Sequence, residues 1–255
     1  MGERYKDRVV VVTGAAGGLG RALAQGYARE GGRLVLVDIN PAGLAETKRL
    51  IEAAGGAEAS TYTVDLMDEA AIDAFGAEVC ARHPKIQVLY NNAGLAYGEI
   101  TGMIDTFSLA QWTRFFTINS ISPLLVSKAL KPSLAAAKGC IINQSSMASN
   151  MPSTAYGVTK ATLNSFTYGL AQVFGPAGIR VNSVEPGLME TEASNDSLPT
   201  ETKTRVQGMQ TLALHGLPDD IVNLGLFLGS DDARFITQEV FACDAGNRLD
   251  RKSVV

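Results

Sequence analysis

Val9-Val10-Val11-Val12-Thr13-Gly14-Ala15-Ala16-Gly17-Gly18-Leu19-Gly20 decides how this 255-residue chain is read. A continuous β-branched run suits a strand buried on both faces of a parallel sheet, and here it enters a glycine turn directly. Beyond the turn, Leu19, Ala22, Leu23, Gly26 and Tyr27 fall on one helix face, until Gly31 and Gly32 end that helix. Leu34 to Val37 reads as a second buried strand, closed by Asp38. Strand, glycine turn, helix, strand and acid, in that order, is what a dinucleotide site requires. Glycines let the backbone approach a pyrophosphate, and the helix N-terminus supplies free N–H groups and a partial positive charge. An acid at the end of the second strand accepts hydrogen bonds from ribose hydroxyls and repels a 2′-phosphate. Ile39 and Asn40 bring no compensating positive charge, so the expected cofactor is NAD(H) rather than NADP(H).

A second stretch, Tyr156-Gly157-Val158-Thr159-Lys160, places a phenol and an ammonium four residues apart in a segment that reads as helix. That spacing puts both on one face. An ammonium near a phenol favours the phenolate and lowers a pKa that is ordinarily about 10, which makes tyrosine a general acid/base near neutral pH. Taken alone, the pair also fits an ordinary amphipathic helix face.

Composition narrows the class. The formal charge is −4 and the pI about 5.3, which gives no support to nucleic-acid or anionic-membrane partners. Cys80, Cys140 and Cys243 are scattered without metal-ligand spacing and read as buried thiols in a reducing compartment. His83 and His215 are far apart and read as surface residues, so no metal site is expected. Glu3, Arg4, Lys6, Asp7 and Arg8 do not form a signal-peptide pattern, and no apolar run reaches a membrane span, so a soluble cytoplasmic protein is expected.

Thr13-Gly14-x-x-x-Gly18-x-Gly20 resembles the cofactor turn of the short-chain dehydrogenase/reductase family. Further family-like motifs extend the resemblance from about Val9 to Gly246. It implies a single doubly wound Rossmann domain over 1–255: α/β, with a central seven-stranded parallel sheet, helices on both faces, and assembly as a homotetramer or dimer. It assigns Gly14, Gly17, Gly18, Leu19 and Gly20 to the cofactor.

Asn40 to Gly55 reads as helix, and Ser60 to Val64 as a third strand ending in Asp65-Leu66. In similar proteins this acid holds the adenine amino group, with the next backbone beside it; an ordinary helix cap before Glu69 is the alternative. Ala70 to Arg82 is helical and Ile86 to Tyr90 is a fourth strand. Asn91-Asn92-Ala93-Gly94 matches the family's N-N-A-G motif, which implies that Asn92, Ala93 and Gly94 line the ribose side of the cofactor. Leu95 to Phe107 is irregular and is expected at the substrate mouth.

Ser108-Leu109-Ala110-Gln111 is a capping box opening a long helix. The resemblance places a catalytic residue at Asn119 within it. Pro123 lacks the N–H that would bond the Asn119 carbonyl, so that carbonyl is expected to be free to hold a relay water. Cys140 to Gln144 is the fifth strand. By resemblance the catalytic serine follows it: Ser146, with Ser145 and Ser149 as alternatives, because the ten residues from Ser146 to Tyr156 are about two fewer than the family pattern.

Tyr156 and Lys160 match the family's catalytic pair, and the resemblance also gives them contacts to the nicotinamide ribose. After Ile179 to Val184, the sixth strand, comes Pro186-Gly187-Leu188-Met189-Glu190-Thr191. Pro186, Gly187, Met189 and Thr191 are implied to fix the nicotinamide carboxamide. Glu185 departs from the pattern and reads as a solvated surface carboxylate, with a place facing the active site or a cationic substrate group as the alternatives. Residues 192–216 are expected to form a substrate lid, helical from Thr200 to Leu214. Pro218 starts another helix, Phe235 to Cys243 is expected as the seventh strand, and the tail from Arg248 to Val255 as frayed.

The reading is an NAD-dependent oxidoreductase acting on a small-molecule secondary alcohol or ketone, with Tyr156 as acid/base, Ser146 orienting the oxygen, and Lys160 and Asn119 serving the proton. A non-catalytic dinucleotide sensor, and an epimerase or dehydratase on the same fold, are the alternatives.

Overall fold

The computed structural model describes residues 3–56 and 58–247; the tail from Arg248 lies outside them. Seven parallel strands stand in the order β3-β2-β1-β4-β5-β6-β7: β1 Val9–Thr13, β2 Arg33–Asp38, β3 Ala59–Thr63, β4 Val88–Asn91, β5 Cys140–Gln144, β6 Arg180–Pro186 and β7 Val240–Cys243. The helices between them are α1 Gly18–Arg29, α2 Pro41–Ala53, α3 Glu69–Arg82, α4 Leu109–Phe116, α5 Ser122–Ala137, α6 Ala155–Phe174, α7 Glu192–Ser197, α8 Thr200–Gln207 and α9 Pro218–Leu228.

The four valines of β1 show why this sheet is covered twice. Successive side chains point to opposite faces, so Val10 and Val12 join the core beneath α1, α2 and α9, whereas Val9 and Val11 join the core beneath α3, α5 and α6. Both layers are hydrophobic, and a polar relay crosses the second. Asn91 Nδ2 donates to Asn143 Oδ1 (2.9 Å) and to Ser127 Oγ (3.2 Å), and Asn143 Nδ2 donates to Thr167 Oγ1 (2.9 Å). A buried amide without partners would cost about 1–3 kcal/mol, so these bonds tie the crest of β4 and β5 to α5 and α6 in one register. Tyr5, in a segment that reads as charged, is fully buried and donates to the Leu226 carbonyl (2.6 Å).

Several boundaries differ from the sequence expectation. The seventh strand begins at Val240, because Gln238 adopts a left-handed φ of 67° and breaks the extended run; Phe235 is 94% exposed. The helix expected from Thr200 to Leu214 ends at Gln207, with Gly208 as its C-cap. The long helix from Ser108 is divided by a π-turn at Thr117–Ile121, where Ser122 N–H reaches back to the Thr117 carbonyl. Pro123 then occupies the first turn of α5, where a missing N–H is tolerated.

Helices α1 and α9 meet through a gap at Gly26, where a Cβ would collide with Cγ1 of buried Val222. Alanine would gain about 1 kcal/mol of helix propensity, but overpacking against a stiff β-branched side chain costs about 1–3 kcal/mol. Gly26→Ala is therefore expected to lower the unfolding free energy in urea. The loss should shrink when Val222 is also alanine, and additive effects would show that the two sites do not meet.

Candidate active site

A cleft of about 770 Å³ opens where β1 and β4 diverge in strand order, the crevice in which open parallel sheets bind ligands. It collects Gly14, Gly17, Gly18, Leu19, Asp38, Asp65, Leu66, Asn92, Ala93, Gly94 and Thr191 among its lining residues. The turn is made by close approach. Gly14 has φ +68°, and a Cβ there would lie 2.7 Å from Asn92 Nδ2, while a Cβ at Gly20 would collide with the Gly14 carbonyl oxygen. Gly17 and Gly18 face open space instead. Gly17 caps α1 without a side-chain acceptor, leaving the first N–H groups of that helix available to an anion.

Asp38 accepts from Ala16 N–H and Asn40 N–H, both at 3.0 Å, and a carboxylate retains lone pairs beyond these two. Ile39 beside it is 63% exposed. Arg21 is engaged elsewhere, with Thr47 Oγ1 and the Ala16 carbonyl. The capping role considered for Asp65 belongs to Asp68, which accepts from Ala70 and Ala71 N–H. Asp65 accepts from Met67 N–H (2.9 Å) and borders the cleft. Gln144, which no sequence signal singled out, presents a buried Oε1 without a partner on the cleft wall. These features fit a dinucleotide: an open glycine cradle, uncapped helix amides and an unsatisfied acceptor.

Lys160, 4% exposed, projects from α6 and donates to the Gln144 carbonyl (2.7 Å), with Nζ 5.8 Å from the centre of the Tyr156 ring. A Cβ on Gly94 would come within 3.4 Å of Lys160 Nζ and 2.9 Å of Asn119 Oδ1, so the glycine brings the Lys160 and Asn119 side chains to one backbone. Burial pushes the Lys160 ammonium down to about 8. Burial also pushes the Tyr156 phenol up to about 12; the Ser146 side chain opposes the shift and nearby Tyr97 adds to it. The expected lowering of the phenol by Lys160 is therefore outweighed in the protein alone, because desolvation disfavours both charged forms.

Three serines compete for the oxygen-orienting position, and their partners separate them. Ser145 donates inward to the Lys160 carbonyl (3.1 Å). Ser149 donates to Glu185. Ser146 Oγ accepts from Ala148 N–H (3.2 Å) at the start of a 3-10 turn, Met147–Asn150, and of the three it is the serine whose side chain lowers the Tyr156 pKa. The expectation of a solvated Glu185 is overturned: it is 2% exposed and held by Ser149, Asn150 and Asn164. Strand alternation on β6 turns Glu185 toward α6 with Ser183, which also contacts Asn164.

The Asn119 carboxamide clamps the chain after Gly94: Oδ1 accepts from Leu95 N–H (2.8 Å), and Nδ2 donates to the Leu95 carbonyl (2.9 Å) and Thr159 Oγ1 (3.1 Å). Thr191 caps α7, accepting from Ser194 N–H (3.1 Å). Pro186, Gly187 and Met189 are not among the residues lining the cleft; a Cβ on Gly187 would approach the Asp244 backbone, and Met189 is buried. Tyr97, read only as part of the mouth, lines the cleft with Thr191, and burial raises its phenol while Thr191 and Ser194 oppose the shift. An apolar wall of Ile100, Phe115 and Ala155, backed by Leu95, Phe107 and Trp112, flanks Tyr156. A second cleft, of about 540 Å³, lies at the N-terminal ends of the central strands among Arg8, Lys138, Arg180 and Arg234, away from these groups.

The family model described as enoyl-(acyl carrier protein) reductase matches residues 14–248. An uncharacterized oxidoreductase of Mycobacterium tuberculosis is 35% identical over 243 residues, covering 95% of this chain and 98% of the relative. The 2-(S)-hydroxypropyl-CoM dehydrogenase 3 of Xanthobacter autotrophicus is 32% identical, covering 96% and 98%. A 7 alpha-hydroxysteroid dehydrogenase solved with NADH and 7-oxo glycochenodeoxycholic acid superimposes with TM-score 0.87 at 27% identity, covering 95% of each chain.

The depressed Lys160 pKa has a signed consequence for stability. Between about 8 in the folded protein and 10.5 as the ordinary value, the unfolded chain binds more protons, so folding becomes more favourable as pH rises through that window. In urea titrations, wild type should gain stability over that range relative to Lys160→Met. Parallel pH dependences would contradict a depressed lysine.

Proposed function

The chain belongs to the short-chain dehydrogenase/reductase family, and on that premise we propose that this oxidoreductase interconverts a secondary alcohol and a ketone with NAD(H), Tyr156 acting as general acid/base. The observation that carries the proposal is the convergence of Lys160 Nζ, 5.8 Å from the Tyr156 ring centre, and the Asn119 carboxamide on Gly94, at the wall of an open dinucleotide cradle.

Gly14, Gly17, Gly18, Leu19 and Gly20 would hold the pyrophosphate, Asp38 the adenosine ribose, and Asp65 with Leu66 the adenine. Asn92, Ala93, Gly94, Tyr156 and Lys160 would border the nicotinamide ribose, with Pro186, Gly187, Met189 and Thr191 toward the carboxamide. When bound, the nicotinamide supplies the hydride acceptor or donor and, in its oxidised form, a positive charge. Ser146 donates to the substrate oxygen and holds it beside the phenol. Tyr156 takes the hydroxyl proton during oxidation and returns it during reduction. Lys160, with its pKa down at about 8, is able to pass that proton on, and the Asn119 carbonyl, which Pro123 cannot engage, lies on the way out.

Residues 192–216 serve as a lid over the substrate within a single domain spanning 1–255. A closed base supports this: Glu190 N–H bonds the Gly216 carbonyl (2.8 Å), and Glu190 Oε1 meets His215 Nδ1 (2.5 Å). The apolar wall and the hydroxyl-directed names of the relatives support a neutral, moderately apolar substrate. Exposed Tyr168 and Val173 on α6 support a homo-oligomer, tetramer or dimer. No helix among the described residues is long and apolar enough to cross a membrane, and a cytoplasmic location completes the reading.

Screening secondary alcohols for NADH formation tests the reaction. Tyr156→Phe should lower kcat by about 10²–10⁴-fold with NADH binding, followed by fluorescence, largely intact; undiminished turnover refutes the mechanism. With Asp38 next to exposed Ile39, kcat/KM should be higher for NADH than for NADPH, and Asp38→Asn should narrow the gap.

A further inference from the structure

Glu185 is the penultimate residue of β6, just before Pro186, and its carboxylate gathers two other segments. Ser149 Oγ and Asn150 Nδ2 (3.1 Å) donate to it from the 3-10 turn that follows Ser146, and Asn164 Nδ2 (2.7 Å) donates from α6, one helical turn past Lys160. Asn164 also donates to Ser149 Oγ (3.2 Å) and accepts from Ser183 (3.1 Å), which closes the network. No cation among the described residues forms an ion pair with the carboxylate. Burying such a charge costs several kcal/mol unless hydrogen bonds compensate, and charge-assisted bonds are the strong ones.

The geometry points to Glu185 as a positioning residue for the reaction: it anchors the Met147–Asn150 turn and so holds the Ser146 hydroxyl against Tyr156. The linkage is short. Ser146 accepts from Ala148 N–H through its hydroxyl (3.2 Å) and from Ser149 N–H through its carbonyl (3.0 Å), so the turn that Glu185 holds at Ser149 and Asn150 is continuous with the orienting serine. The far end of the loop from Ser146 to Tyr156 is tied by Ser153 and Ala155 to Ile104 and Gly102, while at its near end Glu185 couples it both to the helix carrying Lys160 and to the strand leading to Thr191. This assignment rests on reading Ser146 and Tyr156 as the reacting pair.

Glu185→Gln preserves shape but turns an acceptor into an NH2 facing the donors of Asn150 or Asn164. Hydrogen exchange should quicken across residues 147–154 while β1 and α1 keep their protection. With butane-2,3-diol as probe alcohol, kcat should fall by about 100-fold, as an ångström-scale displacement does, and KM for NAD⁺ should stay within about threefold. The Ser146 side chain lowers the Tyr156 pKa, so its displacement should move the rate-controlling limb of the pH profile to higher pH. Adding Asn164→Asp returns an acceptor opposite the new amide and should restore both protection and turnover. Wild-type exchange in the single variant, or wild-type kcat with a loosened loop, overturns the assignment. Failure of the wild type to oxidise the probe or any other secondary alcohol counts instead against the functional reading, and exchange then decides whether Glu185 anchors the serine turn.

Discussion

The Asn92 carboxamide carries the constraint on which the site depends. Its Nδ2 donates to the Thr13 carbonyl (3.0 Å) and the Gly14 carbonyl (3.1 Å), and its Oδ1 accepts from Gln144 Nε2 (2.7 Å). Three strand ends, β1, β4 and β5, are thereby joined where the strand order reverses. Thr13 answers from the other side, its Oγ1 accepting from Asn92 N–H and Ala93 N–H, both at 3.1 Å. An amide this crowded leaves no room for a Cβ on Gly14 or Gly20. The glycines of the turn are thus required by packing before any ligand is considered, and the cleft is a by-product of the same crowding.

Desolvation governs the reacting groups. It pulls the Lys160 ammonium down and pushes the Tyr156 phenol up, so both lean toward neutrality in the protein alone. The Ser146 side chain is the counterweight within the chain. The turn that carries this hydroxyl is bonded in turn to the buried Glu185 carboxylate on the strand behind it.

Much of this was legible in order along the chain. The four valines, the glycine turn and Asp38 specify strand, turn, helix and acid through local periodicity, and the observed β1, α1 and β2 follow them closely. The capping box at Ser108 and Gln111 is likewise present. Local signals failed where a neighbour far along the chain decides. Glu185 reads as a surface charge because nothing adjacent to it shows Asn164 or Ser149 approaching. Phe235 reads as strand because its β propensity is real, but Arg180 and Asn182 draw the Ile236 carbonyl into side-chain bonds, and Gln238 turns left-handed before pairing begins.

By itself the sequence determined the layered parallel sheet, the position of the glycine turn and the i,i+4 phenol–ammonium pair, because hydrophobic period and turn chemistry are local properties. Only the tertiary structure decided that Ser145 and Ser149 are engaged by the Lys160 carbonyl and Glu185, that Asp68 rather than Asp65 caps α3, and that Glu185 is buried. Those choices depend on distances between segments remote in sequence and on how much water each group loses, quantities that exist only once the chain has closed around them.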